Sequence, residues 1–421
     1  MPELFLSAES TTRSTIEAGL FALFNNRSFA TFDKCCTFIQ NKLTIPYNRM
    51  EKHHDVISLL SRIATLDPKP FDGNEAFLSL PVTHIADEAQ RQGVAPWICH
   101  QIDQHHAGIK QLQSLKAALK PSLFATLAAN EMNIALLNEI QALMEIHHIQ
   151  TTSLKGISLV MGLYPEPSLR PIGDLDLYIS PKKVFQARDL LIAQGAKASA
   201  PPLSTLHEAN HAHVRSLTYK GRLVEFHQRL YDVGNPWNPN VELEKAIEPF
   251  TFRGQTYHRL NQTLLAYHLA THLAYNIKMG GCRLGWFVDI ALLFSQENEN
   301  AHLLHQKLVQ SNPKANHAIN RVLGYAMPLM NQQAYSSLQK HQNLKPEVIP
   351  SHLLTESAEI KLNHKKIVAL NILQTPGIGN KTTLLFREFF PTRDYMNHFY
   401  SIQSNKDLIF AYLKRLTNIG K

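Results

Sequence analysis

The pattern of apolar and polar positions divides the chain into three stretches. Over residues 121–147, Leu123, Phe124, Leu127, Ile134, Leu137, Ile140, Leu143 and Ile146 recur at close to 3.6 residues, the repeat of an amphipathic helix. Pro121 stands near its start, where the missing N–H costs nothing. Residues 1–150 as a whole read as helical. From 151 the texture changes. TTSLKG (151–156) is a short β-like run ending in Gly156, and LYPEPSLRPIG (163–173) reads as a loop with three prolines. DLDLYIS (174–180) alternates strictly, which is the period of a strand. Ser180-Pro181 then opens a helix, with Ser180 at the N-cap, Pro181 at N1 and Gly195 at the stop. HAHVRSLTYKGRLVEFHQRL (211–230) reads as a β-hairpin turning at Lys220-Gly221. Helical periodicity returns over 261–295. Further helices follow, separated by loops near Pro313, Pro346, Pro350 and Thr375-Pro376-Gly377.

The expected organisation is α+β: an N-terminal helical region (1–150), a small mixed-sheet core (151–235) and a C-terminal helical region (236–421). With 421 residues, 44% of them apolar and 18% charged, the chain can bury substantial cores and is neither disordered nor fibrous. A net charge of +8 suits an anionic partner such as a nucleotide, an RNA or a phosphate, without choosing among them.

The four cysteines, Cys35, Cys36, Cys99 and Cys282, form neither a disulfide framework nor a metal knuckle, which points to a reducing compartment. The first fifteen residues lack a basic segment followed by an apolar one, and no run reaches the ~18 consecutive apolar residues of a membrane helix. A cytoplasmic protein without a membrane span is expected.

Chemistry concentrates on Gly173-Asp174-Leu175-Asp176-Leu177. On a strand, positions i and i+2 share a face, so both carboxylates project together while Leu175 and Leu177 point into a core. Two neighbouring carboxylates repel unless a cation sits between them. Oxygen-only ligands select a hard cation, Mg²⁺ or Mn²⁺. Alone, such a pair also fits a solvated strand face. Context adds to it: Lys155-Gly156 closes the preceding β-like run, where a glycine lets the backbone approach a phosphate. A third acid, Glu225, lies on the hairpin and shares strand parity with His227, while Val224 and Phe226 face the other way. An acid on a neighbouring strand is what a two-metal phosphoryl-transfer site requires.

The block LKGISLVMGLYPEPSLRPIGDLDLYI resembles the signature of a bacterial family of uncharacterised nucleotidyltransferases, a branch of the polymerase-β-like superfamily. Lys155, Gly156, Tyr164, Pro165, Arg170, Pro171, Asp174 and Asp176 stand at its characteristic places. QGVAPWICHQI (92–102), HLATHLAYNIKMGGCRLGWFVDIALLF (268–294), FREFFPTRDYMNHFY and YLKRL are similar to its flanking regions, so the resemblance spans nearly the whole chain. It implies a mixed sheet presenting three acids, Asp174, Asp176 and Glu225, to two Mg²⁺ (or Mn²⁺) ions and a nucleoside triphosphate.

The broader superfamily carries a Gly-Ser pair after its first strand. Here Lys155-Gly156 precedes Ile157-Ser158, and Lys155 is expected to supply charge in place of those amides. The nucleotide contacts the resemblance implies are Lys155, Gly156, Ser158, Arg170, Gly173, His227 and Arg283. The implied reaction moves a nucleoside monophosphate from a triphosphate to an acceptor: a protein, a tRNA or other RNA, or a small molecule. The rivals are a glycosyltransferase built on the same Asp-x-Asp pair and a non-catalytic interaction protein that keeps the fold.

Other motifs read as structural. His268 and His272 share a helical face, but no Glu follows His268 as a metalloprotease needs, so packing or polar-network roles are expected. Arg283, Trp286 and Asp289 share the next helical face, and a structural Arg–Asp pair is as good a reading there as a cleft-facing role. TPGIGNKTT (375–383) lacks the glycine before Lys381 of a phosphate-binding loop and reads as an ordinary loop. His53-His54, His105-His106, His147-His148 and His211-x-His213 lack partner ligands and are placed at the surface.

Overall fold

The structure, a computed structural model, describes residues 47–68, 80–279, 281–354, 369, 372–373, 375–400 and 402–418. Cys35 and Cys36, the first fifteen residues and the side chains of His53 and His54 lie outside that set. The chain divides into two compact units, residues 1–55 and 56–421. Of the first, only residues 47–55 are described, within helix α1 (Tyr47–Ala64). All that follows concerns the second.

Helices α2 (Val82–Arg91), α3 (Ala95–His105) and α4 (Lys110–Ile146) lead to the sheet. α4 starts well before Pro121, which lies inside it. The proline removes one mid-helix hydrogen bond, yet both halves bury apolar side chains. Leu112, Leu115 and Leu119 enter one core, while Ile134, Leu137, Ile140 and Met144 enter another. Phe124, Leu127 and Ile146, assigned to the apolar face by their spacing, are exposed.

The sheet runs β3-β4-β5-β2-β1-β7-β6. Its strands are β1 (Thr152–Ser153), β2 (Asp174–Tyr178), β3 (Lys197–Ala198), β4 (Leu217–Tyr219), β5 (Arg222–His227), β6 (Ile247–Phe252) and β7 (Gln255–Leu260). β2 runs parallel to β5 and β1 parallel to β7, and the other pairs are antiparallel. The fold is therefore α+β, a mixed sheet with helices on either side of it along the chain. Lys220-Gly221 turns the β4–β5 hairpin with both φ angles positive, 48° and 76°, the requirement of a two-residue primed turn. Arg253-Gly254 repeats the device, at 50° and 81°, between β6 and β7. This second hairpin carries the sheet past residue 235, into the stretch assigned from the sequence to the C-terminal helical region.

Between β1 and β2 lies helix α5 (Lys155–Gly162). After β2 comes α6 (Val184–Ala193), which starts three residues later than Pro181 suggests. The Ser180 carbonyl, not its hydroxyl, accepts from the Lys183 and Val184 amides, so residues 181–183 form a turn. Leu175, Leu177, Val224 and Phe226 point to one side of the sheet and pack with Val184, Ala187 and Leu191 of α6 and with α4. The short α7 (Thr205–Asn210) follows β3, with Ser204 as its N-cap.

Helices α8 (Gln262–Met279), α9 (Leu284–Glu297), α10 (Ala301–Ser311), α11 (Asn316–Ala326) and α12 (Gln332–Gln342) share the first core with α2 and α3. Gln92 ties these regions together, accepting from the Leu284 amide and donating to the Leu354 carbonyl. TPGIGNKTT is a loop only over 375–377. From Ile378 it opens α13 (Ile378–Phe389), ahead of α14 (Arg393–Tyr400) and α15 (Asn405–Asn418). No described helix is long and apolar enough to cross a membrane.

Candidate active site

Parallel pairing of β2 with β5 sets Asp176 directly opposite Glu225. Because side chains alternate, Asp174, Asp176, Glu225 and His227 occupy the sheet face turned away from the second core. One oxygen each from Asp176 and Glu225 and one nitrogen from His227 lie within 4.8 Å of one another, a donor set that fits a divalent cation. Asp174 lines the adjoining cleft.

Asp176 is buried and engaged twice. Its Oδ1 sits 2.7 Å from His227 Nε2 and 3.0 Å from Lys155 Nζ. Burial works to raise its carboxyl, but the Lys155 charge and the His227 hydrogen bond outweigh it and hold the group well below the usual carboxylate range. Asp174 moves the other way, raised first by burial and then by the Asp176 charge. Glu225 is brought down to about 2, chiefly by the His227 imidazole, whose Nε2 stands 3.7 Å from Oε2. Ser216 Oγ donates to its other oxygen at 2.8 Å. His227 is disfavoured as a cation by burial, yet the two carboxylates raise it overall.

Lys155 reaches Asp176 from the first residue of α5. The Leu154 amide donates to the Asp176 carbonyl at 3.0 Å, which aligns the end of β1 with β2. Lys155 itself takes a positive φ of 41°, a costly conformation for a residue with a side chain. Gly156 lines the cleft beside Lys155, and its lack of a side chain also serves the packing. A Cβ there would stand 3.0 Å from Arg170 Nη1 and 3.2 Å from Ile172, so it makes room for the proline-rich loop. Ser158 is buried in α5, its hydroxyl without a partner among the described residues.

Arg170 lines the cleft but is already paired. Its Nε and Nη2 donate to the two carboxyl oxygens of Asp289, each at 2.7 Å, and the Tyr164 hydroxyl donates to the same carboxylate at 2.7 Å. The Arg–Asp pair of this region is thus Arg170 with Asp289, not Arg283 with Asp289. Asn130 of α4 fixes the loop from below, donating to the carbonyls of Pro167 and Arg170.

Opposite the acids, the cleft is walled by Leu269, His272, Leu273, Arg283 and Trp286 and encloses about 280 Å³. Gly173 forms part of the near wall. Arg283 is exposed and has no ion pair among the described residues. His268 and His272 meet edge to face, and His272 meets Trp286 in the same way. Burial pushes His272 down to about 4 and His268 further, so both are neutral imidazoles.

His211 and His213 separate. His211 is exposed, whereas His213 is half-buried in a β-bridge with His227, their ring centres 5.3 Å apart. The sequence gives one hint of this, since His213 opens the same hairpin that carries Glu225 and His227.

The family model of uncharacterised nucleotidyltransferases matches residues 80–331. Among solved structures, an antigenic nucleotidyltransferase-like protein from Paracoccidioides brasiliensis is similar at 14% identity and a TM-score of 0.25, over 47% of this chain and 91% of that one. No curated protein matches.

Proposed function

The chain belongs to the uncharacterised nucleotidyltransferase family, and we propose from that premise that it transfers a nucleoside monophosphate from a triphosphate to an acceptor. The observation that carries this reading is the placement of Asp174, Asp176 and Glu225 on neighbouring parallel strands beside a cleft with cationic walls. In this reading the acceptor oxygen attacks the α-phosphorus in line, the bond to the β-phosphate oxygen breaks, and pyrophosphate leaves.

Asp174 and Asp176 would share a Mg²⁺ or Mn²⁺ ion, and Glu225 would hold a second ion or take the acceptor's proton. When bound, such ions neutralise the triphosphate and lower the pKa of an attacking hydroxyl. Lys155 and Arg283 add positive charge where the leaving pyrophosphate gathers negative charge. Arg170, committed to Asp289, shapes the loop in front of Asp174. Trp286 and His272 offer an aromatic wall to a base or an acceptor.

A second reading, a non-catalytic interaction protein that keeps the fold, draws on one observation: Lys155 and His227 already neutralise Asp176. Titration of the protein with Mg²⁺ and each of the four NTPs, followed by assay of pyrophosphate release with cell extract as acceptor, separates the two. Binding with release supports transfer, whereas the absence of both refutes transfer and supports the second reading.

A further inference from the structure

Residues 373–413 hold half of the large apolar side chains that are exposed among the described residues, and none of them lines the cleft. Apolar surface gathered in this way marks a contact site. We propose that helices α13 and α15 dock the protein on an anionic lipid surface, with their outward apolar faces in the bilayer interface and basic side chains around them.

The apolar positions form stripes rather than a scatter. On α13, Ile378, Leu385 and Phe389 recur at helical spacing and so share a face, with Phe386 beside them. Ile378 is 82% exposed and Phe386 54%. On α15, Ile409, Phe410 and Leu413 are likewise exposed together, Phe410 at 70%. Rings link the two helices: Phe386 stacks on Phe390, and Phe390 meets Tyr412 of α15 edge to face.

The attachment to the body is made elsewhere on these helices. Leu384, Met396 and Ala411 are buried. The Thr392 amide donates to the Leu203 carbonyl at 2.9 Å, and Glu388 stands 3.3 Å from His207 Nε2 of α7. Every one of these contacts uses residues outside the two stripes.

Charge then selects the occupant. Residues 378–418 carry six basic side chains against three acidic ones. Two of the acids are engaged within the protein: Glu388 faces His207, and Asp407 accepts from the Ser404 amide at the start of α15. Lys406 and Lys414 are exposed on the side of α15 that carries Ile409, Phe410 and Leu413. Helices with a Phe- and Leu-rich face beside lysine and arginine lie in the interface of anionic bilayers, where apolar burial and charge attraction add. A second copy of the chain would set these cations against their own kind. Nucleic acid would leave Ile378, Leu385, Ile409 and Leu413 without a use, because bases stack on aromatic rings.

The test sediments the full chain with vesicles of phosphatidylglycerol and phosphatidylcholine, and with vesicles of phosphatidylcholine alone. Binding should be at least 10-fold tighter to the anionic vesicles and should weaken as salt is added. The double variant Phe386→Ser, Phe410→Ser should lose 10-fold or more with its melting temperature unchanged, since both side chains are exposed. Lys406→Glu, which leaves the apolar stripe whole, should weaken binding to the anionic vesicles alone, and it keeps the test open should the double variant not fold. No binding, equal binding to both lipids, or binding indifferent to these variants overturns the proposal. Dimers that the double variant abolishes would assign the face to a second copy. An RNA oligonucleotide held through Phe386 and Phe410, with vesicles left unbound, would assign it to nucleic acid. Either result overturns the lipid reading.

Discussion

Arg170 and Asp289, 119 residues apart, meet in a two-pronged ion pair that ties the proline-rich loop before β2 to helix α9. Both are largely buried, and Tyr164 completes the carboxylate's hydrogen bonds. Removing one member of a buried pair leaves an uncompensated charge and costs about 3–5 kcal/mol. Arg170→Ala should therefore lower the thermal midpoint by many degrees, and Asp289→Asn should do so too. Thermal melts followed by circular dichroism check this. An unchanged midpoint in Arg170→Ala would mean that the pair contributes nothing and that the arginine is free for phosphate.

The two aspartates of β2 should separate in stability though not in activity. Asp176 neutralises Lys155 and accepts from His227, so Asp176→Asn should destabilise the protein by about 3 kcal/mol. Asp174 carries a charge disfavoured by burial and by Asp176, so Asp174→Asn should stay within about 1 kcal/mol of the wild type or gain slightly. Denaturant titration of both variants checks the order, and equal losses would contradict the geometry. Both should abolish transfer.

Arg283 is the cleft cation without an ion pair among the described residues, so it serves as the test of phosphate recognition. Arg283→Ala should raise the KM for the triphosphate roughly 10-fold or more, about 1.4 kcal/mol of lost binding, with the melting temperature unchanged. Calorimetric titration of Mg²⁺·ATP onto the variant reads the same loss. A lowered melting temperature with unaltered nucleotide affinity would assign Arg283 to the fold instead.

Stability should fall on the acid side through His272. Its folded pKa, about 4, lies below the ordinary 6.5, so the unfolded chain takes the proton first. Its contribution is whole above about 6.5 and is lost as the pH falls toward 4. Glu225, at about 2 against 4.5, gives way only below 4.5. His227 is raised, so its contribution is whole below 6.5 and is lost as the pH rises through its folded pKa. His272→Gln should therefore flatten the decline between pH 6.5 and 4.5 by up to one proton, about 1.4 kcal/mol per pH unit. His268 still contributes, so some slope persists. An identical slope in wild type and variant would refute the assignment.

What the sequence revealed about these residues follows from how local each signal is. Strict alternation over 174–178 and the shared parity of Glu225 and His227 are short-range patterns, and β2 and β5 appear where those patterns lie. The Arg253-Gly254 turn carries the same kind of signal as Lys220-Gly221, flanked by Phe and Tyr residues, yet it lies in the stretch assigned as a whole to the C-terminal helical region. Pro121 marks a helix start by propensity, but packing of Leu112, Leu115 and Leu119 carries α4 through it. Partnerships across more than a hundred residues leave no local trace. That is why Arg170 reads as a free cation until Asp289 is seen beside it.

The central claim is that the cleft beside Asp174, Asp176 and Glu225 moves a nucleoside monophosphate. It is tested most directly by offering the protein NTPs labelled on the α- or the γ-phosphate, with Mg²⁺ or Mn²⁺ and cell extract as acceptor. The account predicts that α-label becomes covalently attached to an acceptor, that γ-label leaves as pyrophosphate, and that Asp174→Asn abolishes the attachment. Transfer of γ-label, or no transfer of α-label from any of the four nucleotides with either metal, would contradict it.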